Sequence, residues 1–74
     1  MPPHIAIREL TILRMISEGS PFREIAARMR YTEAYVKERS KPLYQAIGAR
    51  DRAHAVRRGF ELGLLHDSTE GERG

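Results

Sequence analysis

The sequence has no cysteine, which excludes a disulfide framework, thiolate metal sites and cysteine nucleophiles together. It also has no apolar run near the roughly 20 residues that a membrane helix needs, and Met1-Pro2-Pro3-His4 has none of the features of a signal peptide. Strict alternation of apolar and polar residues is missing throughout, so strands are not expected. Size is the last shortage. A chain of 74 residues buries only about 60% of its unfolded surface, leaving little protein to wall a pocket. These absences leave a small intracellular protein of the cytoplasm, without cofactor and without membrane attachment, and argue against an enzyme. With 41% apolar and 31% charged residues, it reads as globular rather than disordered.

The net charge of +3 conceals a gradient. Between Ser20 and Phe60 stand ten basic residues against four acidic ones, a balance of +6, while the segment from Glu61 to Gly74 carries −3. A basic middle of this kind is the footprint of a polyanion binder. A solvated arginine-rich surface is the plainer alternative.

Gly19-Ser20-Pro21, Arg30-Tyr31-Thr32, Gly48-Ala49-Arg50-Asp51 and Gly63 divide the chain into four segments. In the first, Ile5, Ile12, Leu13 and Ile16 recur at helical spacing and Gly19 is a stop. The second, Pro21 to about Met29, opens on Ser20 as cap with proline at the first helical position and has Ile25, Ala26 and Met29 as its apolar stripe. Thr32 caps the third, with Glu33 in its first turn. Asp51 caps the fourth, which carries Ala53, Val56, Phe60 and Leu64. Residues 1–4 form a short arm and 66–74 a polar tail expected to be disordered. The reading is all-α: four helices joined by very short connections.

The second and third segments, joined by about three residues, make a helix-turn-helix candidate. Val36, Ser40, Leu43 and Ile47 share one face of the third helix and are expected in the core. Ala34, Lys37, Glu38, Lys41 and Gln45 take the opposite face, with side chains suited to phosphates and base edges. The ordinary polar face of a surface helix fits periodicity equally well.

Other residues carry less. His4, His54 and His66 lie in separate segments and make no zinc site. Glu33 and Glu38 do not share a helix face and support no catalytic carboxylate pair. The serines lack a nucleophile motif. Gly59 and Gly63 read as a tight packing point and a stop.

Across Ile5 to Leu65 the sequence resembles the LuxR-type (GerE-like) helix-turn-helix domain of bacterial transcription regulators. The resemblance rests on Arg8-Glu9 with Ile12-Leu13, Glu18-Gly19, Arg23-Glu24-Ile25-Ala26 with Arg28-Met29, and Val36-Lys37. It continues through Leu43-Tyr44, Ile47-Gly48, Arg50, Arg52, Ala55-Val56 and Gly63-Leu64. It implies four helices, with the third in the major groove of double-stranded DNA. It further implies DNA contacts at Arg23, Lys37, Glu38, Arg39, Lys41, Arg50 and Arg52, and a weak homodimer through Val56, Arg57, Phe60 and Leu64. The implied function is sequence-specific transcription control by a solitary domain.

Several positions depart from that pattern. Tyr35 and Arg39 stand where threonine and histidine are usual, and Ala6 replaces the cap of the first helix. Arg30 replaces a turn glycine, a position that often needs a positive φ. Pro42 falls inside the third helix and predicts a kink, or a stop near Ser40 with a restart. With Phe22, these departures motivate an alternative, an adaptor that binds a regulatory or transcription protein with the same fold.

Overall fold

The computed structural model describes residues 5–66; the arm at 1–4 and the tail from 67 onward lie outside the described residues. Four helices follow one another: α1 (Ile7–Ser17), α2 (Phe22–Met29), α3 (Glu33–Ile47) and α4 (Arg52–Glu61). No strand occurs among the described residues.

Each helix starts and stops for a local reason. Thr32 Oγ1 accepts the amide of Tyr35 at 3.0 Å and Asp51 Oδ1 that of His54 at 2.9 Å, as expected of these caps. Ala6 precedes α1 without a side-chain cap bond. Ser20 does not cap α2. Pro21 takes that position, again without a side-chain bond, and Ser20 is buried one residue earlier. The stops share one design. The amides of Ser20, Tyr31, Ala49 and Leu64 reach back to Met15, Ala26, Tyr44 and Gly59, the long hydrogen bond of a Schellman motif. Its left-handed residue is Gly19, Gly48 or Gly63 in three cases and Arg30, at φ 64°, in the fourth.

The core gathers Ile12, Leu13 and Ile16 from α1, Ile25 and Ala26 from α2, Val36, Leu43 and Ile47 from α3, Ala55 from α4, and Leu65. Helix α3 touches the other three and is the centre of the fold. Its buried residues are Val36, Ser40, Leu43 and Ile47, the face expected from spacing. Helix α4 is turned differently from its apolar pattern. It buries Ala55 and Gly59, while Phe60 stays 47% exposed and Ala53 is exposed. The smaller residues face inward because the space is narrow: a β-carbon on Gly59 would sit 2.6 Å from Leu65 Cδ1 and 3.2 Å from Leu13 Cδ2. Leu65, beyond α4, closes the core instead.

Pro42 neither stops nor restarts α3, which is one helix of 15 residues. The proline is exposed, so the missing amide bond falls on the solvent side, and Ser40 Oγ donates to the Lys37 carbonyl at 2.7 Å one turn earlier.

Candidate nucleic-acid interface

The α2–α3 turn fixes how α3 is presented. Arg30 in the left-handed region ends α2, one residue, Tyr31, follows, and Thr32 caps α3. Two arginines of α4 brace this unit from behind. Arg52 Nη2 donates to the Ser20 carbonyl, and its guanidinium lies 5.2 Å from the centre of the Phe22 ring. Arg58 Nε donates to the Ile47 carbonyl at 2.7 Å. One brace holds the start of α2 and the other the end of α3.

On the outward face of α3, Ala34, Lys37, Glu38, Lys41 and Gln45 are all exposed. Lys37 pairs with Glu33 at 3.6 Å and Lys41 with Glu38 at 3.2 Å. These are solvated pairs within one helix, contributing about 0–1 kcal/mol each, so a phosphate can displace either carboxylate at little cost. Arg23 and Arg50 are exposed at the starts of α2 and of the turn before α4. The Arg50 amide donates to His54 Nδ1 at 3.1 Å, which shapes that turn.

Two expected contacts have partners outside their own helix. The half-buried Arg52 is tied to Ser20 and Phe22. Arg39 turns toward α1, 4.0 Å from Glu9 and 6.0 Å from the centre of the Tyr35 ring. Arg8, absent from the expected set, enters instead: its Nη1 donates to the Tyr35 hydroxyl at 2.8 Å. Tyr31, then Tyr35, raise its pKa further above the usual arginine value, so its charge is permanent. Arg8 and Tyr35 are 27 positions apart, and no local pattern reveals such a pair.

The residues expected at a dimer contact spread over more than one surface. Phe60 and Leu64 line an open groove with Ile7, Leu10 and Thr11 of α1. Val56 is half-buried against the core. Arg57 is exposed and shares Glu61 with Arg58, and hydrogen bonds from Arg58, then Arg57, hold the Glu61 carboxyl below the usual carboxylate range. Among the described residues no His, Cys, Asp or Glu cluster is arranged to hold a metal ion, and no helix is long and apolar enough to cross a membrane.

The profile of the bacterial regulatory proteins of the luxR family (GerE) matches residues 5–58. The chain belongs to the LuxR family of bacterial regulatory proteins. A curated relative, the response regulator RamR of Streptomyces coelicolor, is 36% identical over 53 residues, covering 72% of this chain and 26% of its own length. The chain therefore matches about a quarter of that relative. No solved structure matches it. LuxR-type domains are a regulatory DNA-binding fold and not an enzymatic one, and α2 and α3, joined by the three residues 30–32, have the form of a helix-turn-helix. The family match ends at Arg58, short of the Leu65 at which the sequence resemblance stops, so the segment that seals Gly59 lies beyond it.

Proposed function

We propose that this domain is a sequence-specific, DNA-binding regulator of transcription. Helix α3 enters the major groove, Lys37, Glu38 and Lys41 face base edges and the adjoining backbone, and Arg23 and Arg50 meet flanking phosphates. With duplex DNA as partner, the place of action is the cytoplasm. The observation that carries the reading is the outward face of α3, which is exposed, free of large apolar residues and braced from behind by Arg52 and Arg58. An adaptor role has less support, because the residues that suggest it have uses inside the fold. Phe22 and Tyr35 pack against neighbouring side chains, Arg30 completes a helix stop, and Pro42 lies in an unbroken helix.

A single module of this kind buries only about 600–1,000 Å² on DNA. A weak homodimer supplies the rest. The patch that supports it is the groove edged by Ile7, 81% exposed, and Phe60, 47% exposed.

The test is fluorescence anisotropy of the chain on a pool of random duplexes across a salt series, followed by selection of a preferred site. Log affinity is expected to fall linearly with log salt, and Lys37→Ala to weaken binding and reduce that slope by about 0.9 if Lys37 neutralises one phosphate. No duplex binding at low salt sinks the reading and leaves the adaptor in its place.

A further inference from the structure

At about 100° per residue, the outward ridge of α3 runs through Ala34, Glu38, Lys41 and Gln45, all exposed. Lys37 stands on one shoulder of that ridge. Tyr35 and Arg39 stand on the other, the shoulder that meets α1. On the α1 side the Tyr31 and Tyr35 rings lie 4.6 Å apart. Arg39 faces Glu9 there at 4.0 Å, a carboxylate whose side chain is only 15% exposed. The cation left over is Arg8. It is exposed, it gives one hydrogen bond to the Tyr35 hydroxyl, and its other donors have no partner among the described residues.

We propose that Arg8 and the Tyr35 hydroxyl form a seat for a DNA backbone phosphate at the α1–α3 seam, so that the domain grips both walls of the major groove. The inference rests on the DNA-binding reading above. Tyr35 is the third residue of α3, in the N-terminal turn that a recognition helix directs into the groove. A groove about 12 Å wide brings a row of phosphates past each shoulder of an inserted helix. Lys37 meets the strand on one side and Arg8 the strand on the other. The planar guanidinium suits both tasks, since one edge can donate to the tyrosine oxygen while another donates in parallel to two phosphate oxygens. The tyrosine hydroxyl, accepting from Arg8, keeps its own proton to donate to the same phosphate. The tilted contact with the Tyr31 ring holds the Tyr35 ring in place, so the arginine is anchored before DNA arrives and loses less freedom on binding.

The experiment uses the full chain and a duplex that the parent protein binds, with anisotropy measured across a salt series. Arg8→Gln is expected to weaken binding about tenfold near 0.1 M salt and to lower the salt slope by about 0.9, the loss of one phosphate. Arg8→Lys keeps the slope and loses part of the affinity, because the charge remains without the fork. Tyr35→Phe also keeps the slope, since no charge is removed, and weakens binding by releasing the guanidinium. Circular dichroism checks that each variant is folded. An Arg8→Gln variant that is folded and has the parental slope overturns the seat whether or not its affinity falls, and leaves the DNA reading standing. A parent chain that binds no duplex overturns both.

Discussion

Arg30 shows how a single residue can contradict its neighbours. The other three helix stops use glycine for the left-handed turn, whereas Arg30 takes φ 64° and ψ 41° with a β-carbon. That conformation costs an L-residue roughly 1–2 kcal/mol, and glycine returns part of the difference as entropy of the unfolded chain. Arg30→Gly is therefore expected to stabilise the domain by about 0.5–1 kcal/mol, a rise of a few degrees in Tm. Arg30 is exposed, in the turn beside the proposed interface. Thermal melts and salt titrations on the same variant separate its two possible contributions. A rise in Tm with unchanged salt slope identifies a strained turn residue without a phosphate contact, and a fall in Tm refutes the strain argument.

At the scale of the helix, Pro42 tests how much α3 depends on its own backbone ladder. Proline in a helix interior forfeits one hydrogen bond and crowds the preceding turn, at about 3 kcal/mol. Helix α3 runs through it unbroken because the core holds both halves: Val36 and Ser40 precede the proline, and Leu43 and Ile47 follow it, on one buried face. Pro42→Ala is expected to raise stability by about 1–3 kcal/mol, measured by urea unfolding, with duplex affinity unchanged or improved. Stabilisation accompanied by weaker DNA binding instead marks the proline as shaping the groove contact. A loss of stability shows that the position favours proline.

For the whole molecule, the question is what covers the groove between α1 and α4. Ile7, Leu10, Phe60 and Leu64 line it, and a core this small gains from covering them with a second copy. Sedimentation equilibrium is expected to find a dimer that dissociates at low micromolar concentration. Phe60→Asp shifts it to monomer. Because Phe60 is 47% exposed and outside the core, the charge disturbs the contact without unfolding the domain, and the CD spectrum is expected to match the parent's. A monomer at every concentration refutes the contact.

Much of the fold was legible in the sequence. Caps at Thr32 and Asp51, stops at Gly19, Gly48 and Gly63, and the Val36–Ser40–Leu43–Ile47 face depend on residues within a few positions of one another, so local rules reach them. The exposed cations Lys37 and Lys41 were legible for the same reason, since spacing says which side of α3 they take, whereas Arg23 and Arg50 were expected only from the family resemblance. Tertiary structure decided what depends on distance in space. It turned Ala55 and Gly59 of α4 inward, and at Gly59 it left no room for a β-carbon beside Leu65 and Leu13. It gave Arg52 and Arg39 partners within the protein, and it brought Arg8 to Tyr35 across 27 positions of chain. Periodicity identifies the side of a helix that can be buried, but the shape and charge of the neighbouring helices determine which residues meet across the seam.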